Sequence, residues 1–290
     1  MSERPVNRMF PGLISVIVAS YNREDALGAV LRSLARQTDG QFEVLVADDG
    51  SGPDTKDVIA EWSGRMPVAL KHVWHEDRGF RLAEIRNRAI RASAGDYFIF
   101  LDGDCIARRD FVASHRRLAQ PGWFVSGNRI LLSPQLTYSV LANAYEPETW
   151  GLAKLARERV RGGVNRLLPV VSLPLGRMRR FTAAMWIGAR GANLAAARAD
   201  VEKIDGFDAI FSSWGLEDSD FVVRLLHAGV RRKDGRYATG VFHLWHPEAD
   251  RSRLMDNQRR LDELLRSDRV RAQRGLSHLA SESTATGAVP

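Results

Sequence analysis

What this 290-residue chain lacks narrows it quickly. It has one cysteine, Cys105, which excludes a disulfide scaffold and a cysteine-rich zinc site and suits a reducing compartment. No apolar run approaches the roughly 18–20 residues that cross a bilayer. The opening Met1-Ser2-Glu3-Arg4-Pro5 has no apolar segment of the secretory type, so a cytoplasmic location is expected. There is no GxGxxG or GxxxxGK[ST] phosphate cradle and no GxSxG nucleophile elbow. Internal repeats are absent. With 44% hydrophobic and 27% charged residues, the composition is globular and sufficient for a sizeable core.

Charge is present, and it is local. Lys and Arg number 42 against 35 Asp and Glu, a net charge of +7. Residues 154–180 hold eight basic side chains against Glu158 alone, which accounts for the whole excess. A uniformly basic protein suggests nucleic acid as its partner. A neutral body with one basic segment, without interleaved aromatics between Arg157 and Arg166, argues for something local, and no nucleic acid is expected.

Residues 13–19 form a β-branched apolar run that reads as a buried strand. Apolar residues at helical spacing follow over 24–37. The alternation continues with strands at 42–47, 68–74 and 97–101 and helices at 54–62 and 82–94. This β-α-β-α-β-α-β order with short connections predicts an α/β fold, a mostly parallel sheet covered by helices on both faces. Further on, a helix is expected at 110–120, a strand at 123–126, broken helix and loop through the basic stretch, a helix at 221–228 and a strand over 241–247. A charged helix is expected over 251–274, and disorder from Leu276 onward.

The polar clusters share a position. Ser20-Tyr21-Asn22, Asp48-Asp49, the segment from His75 to Arg78, and Asp102-Gly103-Asp104 all follow C-terminal strand ends, the edge where open α/β sheets bind ligands. Asp102 and Asp104 can reach a hard cation, Mn²⁺ or Mg²⁺, that shares its coordination with substrate phosphates. His243 or His246 can supply a further ligand; at i and i+3 along a strand they point to opposite faces, so one of the two is expected to do so. Trp214 precedes Glu217, Asp218 and Asp220. Three carboxylates opening a helix gain from its partial positive charge, and Asp220 reads as such a cap. Asp218, beside an aromatic face that can hold a sugar, reads as a general base. Of the arginines leaving the third strand, Arg78 and Arg86 are the expected phosphate contacts.

These residues also carry a resemblance. Residues 14–22, Val46-Ala47-Asp48-Asp49-Gly50-Ser51, Arg86-Asn87, the segment 95–104, Gly206-Phe207-Asp208 and 214–218 resemble, in order and spacing, the inverting family-two glycosyltransferases of the GT-A fold. The 214–218 segment also resembles the galactosyltransferase and chondroitin-polymerase branches, although Leu216 stands where those often have glycine. The resemblance implies that Ser20, Tyr21 and Asn22 line a nucleotide pocket, and that Asp49, with Asp48 beside it, holds the base, usually uracil. It places Arg86 near the ribose-diphosphate, Asp102 on ribose or metal, and Asp104 on the metal with His243 or His246. Asp218 is the implied base, with Glu217 orienting a sugar and Trp214 on the acceptor side.

The implied division is a nucleotide-sugar half (1–127), a basic insertion (128–182), an acceptor-side catalytic half (183–250), a C-terminal helix (251–275) and a disordered tail (276–290). The implied activity is metal-dependent, inverting transfer from a nucleotide-diphosphate sugar, with UDP as the expected nucleotide. The acceptor is a hydroxyl of a saccharide or lipid-linked saccharide, in synthesis of surface polysaccharide or lipopolysaccharide. The basic segment 154–180 is expected to meet an anionic acceptor or the inner membrane surface, or to be solvated. A sugar-phosphate nucleotidyltransferase shares the sheet and the acidic metal site, but it needs a basic, glycine-rich loop after the first strand, which residues 20–25 do not supply.

Overall fold

The structure is a computed structural model that describes residues 10–167, 171–247 and 254–279. The expectations that fall on residues 1–9, on Pro169, on the start of the last helix at 251–253 and on the tail beyond 279 lie outside the described residues.

Four strands lead the chain, three buried and the third half-buried at the sheet edge: β1 (Ile14–Ser20), β2 (Phe42–Asp48), β3 (Leu70–Trp74) and β4 (Tyr97–Asp102), separated by α1 (Glu24–Ala35), α2 (Pro53–Ser63) and α3 (Leu82–Ala92). β1 pairs in parallel with β2 and β4, and β2 with β3. Side chains alternate across the sheet as the pleat requires. Val16, Val18, Ile99 and Leu101 face α1 and α2 in one core, while Ile17, Leu45, Phe98 and Phe100 face α3 in the other. The expectation of a mostly parallel sheet with helices on both faces is met.

The second half completes that sheet. β5 (Cys105–Ala107) and α4 (Phe111–Leu118) lead to β6 (Trp123–Ser126) and β7 (Arg129–Leu131), followed by α5 (Pro134–Leu141) and α6 (Leu152–Val160). Then come β8 (Asn193–Ala197), α7 (Arg198–Lys203), α8 (Glu217–His227), β9 (Arg231–Asp234), β10 (Val241–His243) and α9 (Leu254–Leu265). Among the described residues the main sheet has seven strands in the order β3-β2-β1-β4-β8-β6-β9, and β5, β10 and β7 make a second, three-stranded sheet. Only β8 runs antiparallel to its neighbours in the main sheet.

Several elements differ from expectation. β8 is the alanine-rich run that carried no strand signal; its small side chains let it lie buried between β4 and β6. β9 reads Arg-Arg-Lys-Asp and has the edge position that so polar a strand requires. α5 begins at a Ser-Pro cap, Ser133 Oγ accepting from Leu136 N. β10 stops at His243, well short of residue 247. α9 stops at Leu265, short of 274, because the following chain is drawn onto two aspartates. Asp208 accepts from the Arg269 guanidinium and from the Gln273 and Arg274 amides, and Asp205 from Ser277. Residues 276–279 form a helical turn with Leu279 buried, where disorder was expected. Among the described residues no helix is long and apolar enough to cross a membrane.

The basic segment is not a uniform solvated loop. Arg179 is buried, its guanidinium donating to the carbonyls of Leu173, Asp234, Arg236 and Tyr237. Lys154 pairs with Glu158 and lies over the rings of Tyr145 and Trp150.

Candidate active site

Strand register builds the site. Ser20 sits beside Asp48 on neighbouring strands, and Ala19 beside Asp102, so three polar strand ends meet at one edge of the sheet. Gly103 then turns the chain against β1: its N–H donates to Ala19 O at 2.7 Å, and a Cβ there would meet that same oxygen at 2.7 Å. The glycine is needed for this close approach, which aims Asp104 across the edge.

Asp104, His243 and His246 converge. His243 Nε2 lies 3.5 Å and His246 Nε2 3.3 Å from Asp104 Oδ2. One donor atom from each lies within 4.8 Å of the others. The expected splitting of the two histidines onto opposite faces does not occur. β10 ends at His243, and the chain then leaves strand geometry, which swings His246 to the same side. Burial lowers the His243 pKa, with Arg129 adding to the effect against the pull of Asp104, so this imidazole favours its neutral, ligating form. A carboxylate oxygen and two neutral imidazole nitrogens fit a divalent cation such as Mn²⁺. A second grouping, Asp102, Asp104 and Cys105, is poorer. Complete burial pushes the Cys105 thiol well above its usual range and keeps it protonated.

Arg86 joins the two halves. It is buried, its Nη2 lying 3.0 Å from Asp102 and its Nη1 3.4 Å from Glu217, and its guanidinium lies over the Phe207 ring. Asn87 next to it clasps the Phe207 backbone, donating to its carbonyl and accepting from its N–H. The Arg86-Asn87 and Gly206-Phe207-Asp208 segments, far apart in sequence, are therefore one contact. Gly191 packs where a Cβ would press the Arg86 guanidinium at 3.1 Å. Its N–H donates to Asp218 Oδ2 at 2.9 Å.

Leu216 precedes α8 with φ of +73°, turning Glu217 and Asp218 into the cleft. Glu217 is buried, and its Oε2 has no hydrogen-bond partner. Burial and the neighbouring Asp218 outweigh Arg86 and push its pKa up to about 7. Asp102 is raised as well, by burial, against Arg86 and with Asp104 and Asp218 adding to the rise. Asp218 is thus close enough to be felt across the cleft. Asp220, read as a cap, instead forms a fully buried pair with Arg224 at 2.7 Å.

The first-half residues lie at the same edge. Tyr21 donates to Asp77 at 2.9 Å, and Asn22 bridges to Ser51 and Gly52. Ser20 Oγ is buried and unpartnered. Asp48 is bonded by His72 at 2.8 Å, and Asp49 by His75 at 2.7 Å and by the Arg81 amide. Arg78 is exposed, with its guanidinium held by Glu76 on its own loop. Trp214 is 37% exposed. Sequence reasoning placed His75 at this edge without assigning it a partner, and missed Arg129, Gly191 and His72. His72 offered a signal, lying two residues before Trp74 at the end of a strand; Gly191 and Arg129 offered none.

A parallel sheet whose acidic strand ends face a second half carrying a carboxylate pair is the GT-A architecture. The chain belongs to glycosyl transferase family 2. That family's model matches residues 15–158, and a model described as the N-terminal domain of galactosyltransferase matches residues 184–247. Validoxylamine A glucosyltransferase of Streptomyces hygroscopicus subsp. limoneus is 32% identical over 262 residues, covering 84% of this chain and 55% of that protein. Chondroitin synthase of Escherichia coli is 24% identical over 250 residues, covering 79% of this chain and 34% of that protein. The chain thus spans about half, or less, of the length of these relatives. Among solved structures, a mannosyltransferase from Pyrobaculum calidifontis in complex with GDP-Man and Mn²⁺ superposes with a TM-score of 0.57 at 22% identity, covering 82% of this chain and 58% of that one. Staphylococcus aureus TarS residues 1–349 in complex with UDP-GlcNAc gives 0.57 at 15% identity, covering 91% and 68%. These likenesses show the fold.

Proposed function

We propose that the chain transfers a sugar, with inversion, from a nucleotide-diphosphate sugar to a saccharide hydroxyl, using a divalent cation. The observation that carries this is the convergence of Asp104, His243 and His246 at the strand edge, across from Glu217 and Asp218.

The cation would be held by Asp104, His243 and His246, with Asp102 behind. The two imidazoles favour Mn²⁺ over Mg²⁺, which prefers oxygen ligands. When bound, it supplies positive charge against the negative charge that grows on the departing diphosphate. Ser20, Tyr21, Asn22, Asp48 and Asp49 form the nucleotide side, with UDP the preferred donor nucleotide. Arg78 is an outer phosphate contact.

Asp218 takes the proton of the acceptor hydroxyl as that oxygen attacks the anomeric carbon in line with the leaving group. The Gly191 N–H fixes one of its oxygens at 2.9 Å, and the other, which takes the proton, accepts a longer bond of 3.3 Å from the Ser219 hydroxyl. Glu217, neutral over part of the physiological range, donates a hydrogen bond to a sugar hydroxyl through its unpartnered oxygen. Arg86 keeps Asp102 and Glu217 at fixed separation. Trp214 offers an aromatic face to the acceptor ring. The chondroitin synthase and glucosyltransferase relatives support sugar transfer; the acceptor in this reading is a saccharide or lipid-linked saccharide of surface-polysaccharide or lipopolysaccharide synthesis.

The test is Asp218→Asn, assayed with Mn²⁺ and a panel of nucleotide sugars by nucleotide release. Transfer should fall by at least about 10²-fold, the low end for losing a positioned base, while nucleotide binding is unchanged. Full turnover by the variant overturns the assignment.

A further inference from the structure

A second cavity lies away from the candidate active site, at the β9 edge of the sheet, with β8 and β6 between it and β4. Its volume is about 530 Å³, within the range of small-ligand sites. Arg117 from α4, Arg177, Arg179 and Arg180 from the basic segment, and Lys233 from β9 line it. None of its lining residues is acidic.

Four of these five cations are held by neutral groups. Arg117 donates to Ser114 Oγ, and Arg180 to Gln120 Oε1. Lys233 Nζ donates to Leu118 O at 2.7 Å and Gln120 Oε1 at 3.0 Å. Arg179 is held by four carbonyls. Several arginines elsewhere are neutralised by carboxylates: Arg32 and Arg36 by Glu146 and Glu148, Arg116 by Asp39, Arg224 by Asp220. Among the described residues no carboxylate forms an ion pair with any of the five. Gathering like charges around one cavity raises its potential and costs folding free energy, unless an anion enters. Burial together with Arg180 and Arg179 already pushes the Lys233 pKa down, a strain that an anion relieves.

The rest of the lining is mostly apolar, including Leu173, Pro174 and Leu175 with the hydroxyls of Ser114 and Ser172, and Met178 and Phe181 stand exposed beside it at 60% and 83%. Guanidinium forks match phosphate oxygens in geometry as well as charge. We propose that this cavity binds the phosphate of a phosphate ester whose apolar portion rests on Leu173 and Leu175, at a site separate from the nucleotide-sugar cleft. The ester is either a soluble phosphorylated metabolite or a lipid headgroup, and both present the same oxygens.

The test uses the full chain in EDTA, with inorganic pyrophosphate titrated calorimetrically. The wild type should bind, and Arg117→Gln/Arg177→Gln/Arg180→Gln should bind at least tenfold more weakly with a melting temperature no lower than that of the wild type. These three side chains are exposed, so the fold survives their change. A control, Arg157→Gln/Arg159→Gln/Arg161→Gln on and just beyond α6, should retain binding. Flotation with phosphatidylcholine vesicles containing phosphatidic acid then separates the sources. Flotation lost in the first variant identifies a lipid headgroup, and pyrophosphate binding without flotation identifies a soluble ester. No binding by the wild type, equal affinity in the first variant, or equal loss in the control overturns the site.

Discussion

At the scale of the residue, the acidic loop after β4 depends on a missing side chain. Gly103 touches the β1 backbone so closely that a methyl group must displace it. Gly103→Ala should cost about 1–3 kcal/mol, as overpacking does, read as a lower urea midpoint. It should also weaken Mn²⁺ binding, because Asp104 follows directly. Glu217 makes a different prediction, in pH. Its carboxyl titrates near 4.5 when unfolded and at about 7 in the fold. The folded state therefore retains a proton that the unfolded chain releases between those values. The stability this proton gives is complete below pH 4.5 and is lost as pH rises through 7. Glu217→Gln keeps the neutral form at every pH. In EDTA, wild type should thus lose stability relative to this variant across that window, by up to about 3 kcal/mol at 1.36 kcal/mol per pKa unit. Parallel melting curves would contradict the assignment.

At the scale of the element, α9 fastens the loop that carries the carboxylate pair. Asn257 is fully buried, and its amide donates to Gly215 O at 2.8 Å and Ser213 Oγ at 3.1 Å. Asn257→Ala should cost about 1–3 kcal/mol, because buried acceptors lose their donor. Amide exchange over 213–216 should quicken in the same variant. This fastening could not be read from the sequence, since an asparagine in a charged helix resembles any solvated polar residue. The first four strands were legible as short runs bounded by turn residues: β1, β2 and β4 are buried on both faces, which leaves continuous apolar runs, while β3 at the sheet edge is half-buried and mixes polar with apolar residues. β8 and β9 were not: one is a run of alanine, the other carries charge at an edge, and their strand state comes from their neighbours. The acids of the first half were legible from their position after strands, and Glu217 and Asp218 from their place after Trp214 at a helix start. That both histidines would face Asp104 was not, because it depends on where β10 stops.

At the scale of the whole molecule, the candidate cation site ties position 104 to positions 243 and 246, across about half of the chain. A cation that binds only the folded state stabilises it by RT ln(1 + [L]/Kd), about 2.7 kcal/mol at a hundredfold excess over Kd. For a chain of this size that is a rise in melting temperature of about 5–11 °C, at roughly 2–4 °C per kcal/mol. Mn²⁺ should produce it in the wild type and not in Asp104→Ala. The pI near 10 also changes meaning at this scale. The excess charge lies partly inward, around a cavity, and so marks a local ligand before it marks a surface.

Leu216 holds a left-handed backbone that costs a side-chain-bearing residue about 1–2 kcal/mol. Its side chain packs with Val223, Leu261 and Leu264, the last two from α9. The tail helix therefore underwrites a backbone turn forty residues upstream, and the two cannot vary separately. Exchanging α9 for a relative's last helix should yield a working chimera only when glycine is installed at 216. The turn and the helix are in this sense one fitting: leucine at 216 keeps its turn through the partner it lies against.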